Sequence, residues 1–309
     1  MSDVGQNERA TQNRIVKLIS KKLGYKYLGD FQDRANNQNI EKEILKKWLL
    51  GRGVSETLYT KIERQIDQSL ALGGGRKLYE ANKEFYTLLR YGVKDKENPN
   101  DKNKTVWLID WKNIDNNEFY IAEEVTIKGQ NTKRPDIVLY VNGIALAVFE
   151  LKRSSVGVTE GIRQNLDNQK STFIRDFFTT IQLVMAGNDS QGLKYGTVET
   201  TEKYYLGWKE ENPEYNSKID TKDKKYLSAL ECGCDGEVVS GVLDCDVVRF
   251  LNKKRFLELI HDFIVYDSGT KKSCRQNQYF GIKKAQEHIA RREGGIIWHT
   301  QGSGKSLTM

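Results

Sequence analysis

Arg134-Pro-Asp-Ile-Val-Leu-Tyr-Val-Asn-Gly-Ile-Ala-Leu-Ala-Val-Phe-Glu-Leu-Lys152 is the stretch on which the fold turns. Two apolar runs meet at Asn142-Gly143, the strongest short-range hairpin signal. Between that turn and the charged ends, the residues are apolar on both faces, as in strands covered by helices on each side. Asp136, Glu150 and Lys152 interrupt the pattern at its ends. Three charges in so dry a setting cost too much free energy unless they bind something or pair with one another.

Two carboxylates suit a hard Mg²⁺, with the Leu151 carbonyl as an extra oxygen ligand. A metal so held acidifies a bound water and offsets charge developing on a phosphodiester. Lys152 follows Glu150 by two residues and so shares its strand face, where it can orient that water or stabilise the transition state. The competing reading is a plain salt bridge between Lys152 and one carboxylate. The hairpin, the flanking helical segments and Pro135 directly before the aspartate favour the metal site. Strand parity adds a condition. A two-residue turn pairs Val141 with Ile144 and carries the register to Asp136 opposite Phe149, which turns Glu150 away from Asp136. The plain hairpin is therefore expected to be wrong. Either a bulge or a three-residue loop, the latter pairing Tyr140 with Ile144 and Asp136 with Val148, restores a shared face.

The stretch resembles the PD-(D/E)xK nuclease family and, closely, the R (restriction) subunits of type I restriction enzymes, whose Arg-Pro-Asp-Ile-Val-Leu-x-Val-Asn-Gly and Glu-Leu-Lys segments it nearly reproduces. Asn82, Glu84-Phe85 and the run from Leu88 to Val93 look like the helix that precedes the sheet in that family. The resemblance implies Glu84 as an accessory acid, with Glu124 as a second candidate. It also implies a Gln-x-x-x-Tyr pattern on the helix after the lysine. Gln164 fits it, but Asn168 stands where the tyrosine would be, and an exposed helix amide is the bland alternative for Gln164.

A second motif closes the chain. Ile296-Ile297-Trp298 reads as a short buried strand leading into Gly302-Ser303-Gly304-Lys305-Ser306, the context of a phosphate-binding loop. Glycines let backbone N–H groups reach phosphates, Lys305 would reach the β and γ phosphates, and Ser306 would ligate Mg²⁺. His299 replaces the first glycine of the strict pattern, a departure that resembles motif I of superfamily 2 helicases. Arg275 to Tyr279 resembles the Q motif of those motors, which implies that Gln278 hydrogen-bonds adenine. No Asp-Glu box and no second motor lobe follow before Met309, so ATP hydrolysis is expected of a complete protein and not of this chain, which reads as a fragment or a truncated product.

The remaining sequence frames these motifs. At 309 residues the chain is long enough for about two domains. Its 49 Lys and Arg against 42 Asp and Glu leave +7, which suits a polyanionic partner. The longest apolar run, Ile144 to Phe149, is far short of the roughly 18 residues of a membrane span, and the polar start lacks a signal-peptide core, so a cytoplasmic protein is expected. Cys232, Cys234, Cys245 and Cys274 lack the paired spacing of a zinc ribbon and read as reduced thiols. Helical spacing covers Glu8 to Leu72, then Leu78 to Leu89, with a loop over 93–104. Strands are expected at Val106–Asp110, Phe119–Ile127, Asp136–Val141, Ile144–Lys152 and Ile181–Ala186, with helical periodicity at Thr159–Gln169 and Phe173–Phe178 between the last two. Residues 209–226 read as a solvated excursion, one helix follows from Phe250 to Ile264, and another from Gln276 to Ala290.

Together these describe an α/β chain: a helical region 1–75, a PD-(D/E)xK nuclease unit 76–235 with a central mixed sheet flanked by helices, and the start of a RecA-like lobe over 236–309. The resemblance implies an Mg²⁺-dependent endonuclease coupled to an ATP-driven translocase on double-stranded DNA, with methyltransferase and specificity subunits as partners. The alternatives are a repair-type helicase-nuclease and a non-cleaving DNA-binding or assembly module.

Overall fold

Asn142 and Gly143 both take left-handed backbone angles, with φ of 51° and 86°, in the computed structural model, which describes residues 8–208, 210, 241–298, 301–304 and 306. Positive φ at both central residues is what a tight two-residue hairpin turn demands. It joins strands that we number with the rest in chain order, β5 (Ile137–Val141) and β6 (Ile144–Leu151). Val141 pairs with Ile144 and Tyr140 with Ala145, so the two-residue turn forms and the three-residue loop does not. The register then slips. Leu139 pairs with Ala147, which leaves Leu146 as an extra residue on β6, and the ladder runs on through Ile137 opposite Phe149. One more step puts Asp136 across from Glu150. The core confirms the slip: Ile144, Leu146, Ala147, Phe149 and Leu151 all belong to the cluster on one face, and Ala145 and Val148 to the cluster on the other. The bulge thus supplies the parity that the turn alone would deny.

These two strands are the centre of a seven-stranded mixed sheet in the order β1-β4-β5-β6-β7-β8-β9. The flanking strands are β1 (Lys26–Asp30), β4 (Phe119–Glu123), β7 (Leu183–Asn188), β8 (Gly192–Gly196) and β9 (Leu206–Gly207). β1 lies parallel to β4 and β6 parallel to β7, and the other neighbours are antiparallel. β6 and β7 are joined by α5 (Val158–Asn168), whose buried Val158 and Ile162 pack on Ala186. The larger core cluster gathers side chains from α1 (Glu8–Lys17), α2 (Lys42–Gly51), α3 (Glu56–Leu70) and α4 (Leu78–Tyr91). It also takes in α6 (Val242–Phe250) and α7 (Lys253–Asp262), so these later helices share a core with the sheet. The sheet is a central mixed one flanked by helices, as expected.

Other expectations change in detail. β1 lies inside the stretch read as wholly helical, and it is a half-exposed edge strand. The loop over 93–104 contains β2 (Val93–Asp95), which pairs with β3 (Lys104–Val106) in a separate two-stranded ladder, so the strand at Val106–Asp110 is displaced. Phe119–Ile127 is a strand only to Glu123, and Phe173–Phe178 overlaps a short 3₁₀ turn, Arg175–Thr179. The single helix from Phe250 to Ile264 is two helices, broken where the Asn252 side chain caps the backbone of Lys254 and Arg255. After them comes a hairpin of β10 (Ile264–Asp267) and β11 (Thr270–Ser273). α8 (Gln276–Ala290) has the expected bounds. Ile296-Ile297-Trp298 is neither strand nor buried: Ile296 and Trp298 are 92% and 88% exposed. Apart from Glu210, the excursion at 209–226 lies outside the described residues, as do Cys232 and Cys234.

Candidate active site

Glu150 sits on β6 with no exposed surface, and Asp136 ends the extended segment that leads into β5. Their carboxyl groups lie close enough to shift one another's proton affinity. Asp136 accepts from the backbone N–H of Leu151 at 2.6 Å, so Leu151 enters the site through its main chain while its side chain lies in the large core. Lys152 continues on the face of Glu150, and its ammonium meets Glu8 of α1 at 3.0 Å. These groups open into a cleft of about 420 Å³ lined by Glu8, Arg9, Gln12, Glu124, Arg134, Asp136, Lys152 and Gln164.

Burial dominates the electrostatics. Desolvation lifts the Asp136 carboxyl from 3.8 to about 6, against the pull of the Leu151 N–H and of Lys152. Glu150 rises well above the usual carboxylate range, first from desolvation and then from the charge of Asp136. Burial opposes the charge on Lys152, but Asp136, Glu150 and Glu8 together outweigh it and raise its pKa. The pair is short of positive charge. That is the condition under which two carboxyls hold a proton between them or take up a cation.

Gln164 on α5 donates to Glu150 at 2.7 Å, so it faces the site and not solvent. One turn later Asn168 is fully buried and points its amide at the other Glu150 oxygen from 3.5 Å. Gly161 lets this helix come close, since a Cβ there would lie 3.2 Å from Ala186, 3.5 Å from Lys152 and 3.6 Å from Glu150. Asn168, named from the sequence only as the departure from the Gln-x-x-x-Tyr pattern, thus reaches the site as well. Its signal was an amide in the buried stripe Val158, Gly161, Ile162, Asn165 and Asn168. Glu8 and Gln12 were missed. Gln12 donates to Glu123 at 3.1 Å and both residues prolong the helical stripe that ends in buried Ile15 and Ile19. A polar head on an apolar stripe marks a buried polar contact.

Glu124 lines the cleft, where it accepts from Arg9 at 2.8 Å and Arg134 at 2.6 Å. Glu84 does not. It is an exposed residue on α4 paired with Arg76, and the neighbouring Asn82 ties that helix to the carbonyls of Phe178, Thr179 and Ile181, at the far end of β7. Of the two implied accessory acids only Glu124 lines the cleft, which it shares with Glu8. A larger cavity of about 640 Å³ lies between the 107–114 loop and α7 and holds none of the candidate residues. Its acids are engaged: Asp110 with Arg52, Glu258 with Lys283 and Asp262 with His261.

Among the described residues no three His, Cys, Asp or Glu side chains converge as a metal cluster. A cation here would rest on Asp136, Glu150, a backbone oxygen and water, a sparse oxygen set that fits Mg²⁺. Cys245 and Cys274 are buried and form no disulfide among the described residues. At the chain's end Gly302 and Gly304 have φ of 79° and 85°, Ser303 is buried and Ser306 exposed, and Lys305 lies outside the described residues. Gln278 donates to the Gly304 carbonyl at 2.8 Å and accepts from the Arg275 backbone at 2.7 Å. Both ends of its amide are therefore engaged within the chain, one of them on the loop itself.

Residues 5–204 match the model of the type I restriction enzyme R protein N terminus, and residues 277–309 match that of the SWI2/SNF2 ATPase. The putative type I restriction enzyme MjaIXP endonuclease subunit of Methanocaldococcus jannaschii is 29% identical over 243 residues, 74% of this chain and 23% of that protein. The MjaVIIIP endonuclease subunit of the same organism is 27% identical over 303 residues, 93% of this chain and 27% of its own. The HindI endonuclease subunit of Haemophilus influenzae is 26% identical over 250 residues, 74% and 22% respectively. The chain spans about a quarter of the length of these relatives. No helix among the described residues is long and apolar enough to cross a membrane. With the family model covering most of its length, the chain belongs to the family of type I restriction enzyme R protein N termini.

Proposed function

We propose that the chain carries the Mg²⁺-dependent DNA endonuclease centre of a type I restriction enzyme, a PD-(D/E)xK site formed by Asp136, Glu150 and Lys152. The observation that carries this reading is the Leu146 bulge, because it sets Asp136 across from Glu150 with Lys152 on the same face of an open cleft. Mg²⁺ held by the two carboxylates and the Leu151 carbonyl would acidify a water and offset charge on the phosphodiester. The chain's own groups do the rest. Gln164 fixes the orientation of Glu150 through their hydrogen bond. Lys152, kept charged by its acidic neighbours, is placed to orient the attacking water or to meet the developing charge on phosphorus oxygens.

Residues 76–235 are the nuclease unit in this proposal, with 1–75 as a helical region whose first helix lends Glu8 and Gln12. The stretch 236–309 begins a RecA-like motor, whose loop Gly302–Ser306 would hold ATP and Mg²⁺ and which in the complete protein would drive translocation along double-stranded DNA. Methyltransferase and specificity subunits would choose the site. The test is cleavage of circular DNA by the full-length protein assembled with those subunits. Asp136→Ala should abolish cleavage and Lys152→Ala should lower it by about 10²–10³-fold, both with translocation intact, whereas Lys305→Ala should stop translocation. Cleavage at the wild-type rate by either nuclease variant would remove those residues from the mechanism. Cleavage of free ends without the partner subunits would favour a repair-type helicase-nuclease instead.

A further inference from the structure

We propose that Arg134 binds a backbone phosphate of the DNA strand that enters the cleft, with Glu124 as the residue that aims it; this rests on the nuclease reading above. Arg134 lines the same cleft as Asp136 and Lys152, and its side chain is 46% exposed. Its Nε lies 2.6 Å from Glu124 Oε2, and among the described residues its two terminal amino groups make no hydrogen bond. An ion pair built for stability would use the two-pronged edge of the guanidinium on the carboxylate. Here that edge is left over. Its planar fork matches a phosphate.

Glu124 is an unusual holder. It is 8% exposed and takes a left-handed backbone angle, φ 50°, which glutamate rarely adopts. Such strain persists only where surrounding structure imposes it. The imposing contacts are visible: the Glu124 N–H donates to the Asp136 carbonyl at 2.9 Å, and Val125 donates to the Pro135 carbonyl at 3.0 Å. The segment bearing Glu124 is therefore stitched to the segment bearing both Arg134 and Asp136. Arg9 closes the arrangement from α1 by donating to the second Glu124 oxygen at 2.8 Å. With both oxygens occupied, Glu124 fixes the direction of Arg134 relative to the carboxylate pair. The cleft is also lined by Glu8, Asp136 and Glu124, which repel a polyanion, so a half-exposed guanidinium with open donors on its wall has a clear task.

The test measures binding of the chain to a duplex of about 30 base pairs across a salt series, with Ca²⁺ present, which suits oxygen ligands. Arg134→Ala should weaken binding about tenfold and reduce the steepness of log affinity against log salt by about one. Glu124→Gln keeps Arg134 but loosens its direction, and should weaken binding by less while leaving the salt dependence steep. Arg134→Lys, which keeps the charge and loses the fork, should keep the wild-type unfolding midpoint and still bind several-fold more weakly; it replaces the alanine variant if that fails to fold. Wild-type affinity and salt dependence in both Arg134 variants, or no duplex binding by the unmodified chain, overturns the proposal. A separate arm with Mg²⁺ compares cleavage by the unmodified chain and Asp136→Asn in the full assembly. Loss of the nuclease reading would appear there, with the binding arm unaffected.

Discussion

Asp136 and Glu150 are destabilising in the state without metal, and the sign of their effect on pH dependence follows from their raised pKa values. The unfolded chain releases the Asp136 proton near 3.8, while the folded chain holds it to about 6. Between those values the folded state binds more protons, so its stability falls as pH rises through that window. The rise is worth at most about 3 kcal/mol, less to the extent that Asp136 keeps an edge in the cleft. Asp136→Asn removes the charge while retaining an oxygen that can accept from Leu151. It should therefore stabilise the metal-free chain by about 1–3 kcal/mol at pH 8 and by less at pH 5, as read by urea unfolding in EDTA. Equal or lower stability at pH 8 would contradict a buried, charge-poor pair. These residues were legible because a charge at the end of a dry strand is tolerated only where it is paired or binds something. Glu8 was not, since a glutamate at the head of a polar helix is ordinary on any exposed surface; only the buried Ile15 and Ile19 further along its face show where it points. Glu84 misled because the resemblance fixes its helix but not the side of the sheet on which that helix ends.

Asn142-Gly143 announced its turn, and parity required an irregularity beyond it, but the place of that irregularity was hidden. Leu146 and Ala147 are both apolar, so sequence carries no mark of which of them is surplus. β10 and β11 were overlooked for a different reason: Ser268-Gly269, with φ of 48° and 82°, is a sound turn signal set directly after a helical period. The turn at Gly143 also locks the hairpin to α2. A Cβ there would come within 2.7 Å of the Glu41 carbonyl and 3.0 Å of the Leu45 nitrogen, both backbone atoms, in addition to the strain of φ 86°. Gly143→Ala should cost about 2–4 kcal/mol, the left-handed penalty and the clash together. Gly75→Ala, at φ 79° in open space, should cost only the first, about 1–2 kcal/mol. Equal losses in chemical denaturation would show that α2 does not press on the turn.

At the scale of the whole molecule, the site is assembled from parts remote in sequence: α1 supplies Glu8 and Gln12, the segments around β4 and β5 supply Glu124, Arg134 and Asp136, β6 supplies the buried Glu150 and is followed directly by Lys152, and α5 supplies Gln164. Local periodicity could identify most of these elements and could not say that the first would fold back over the sixth strand. The apolar run at Ile296–Trp298 failed as a strand for a related reason, because such a run becomes one only where neighbouring strands pair with it, and among the described residues none does. The central claim is that this long-range assembly makes one cation site. Crystals of the chain soaked in Mn²⁺, a hard cation that scatters anomalously, test it most directly. One anomalous peak about 2.0–2.2 Å from a carboxylate oxygen of Asp136 and of Glu150 at once, lost in Asp136→Asn, is the result predicted. A peak bound to only one of the two, or none between them, would contradict it.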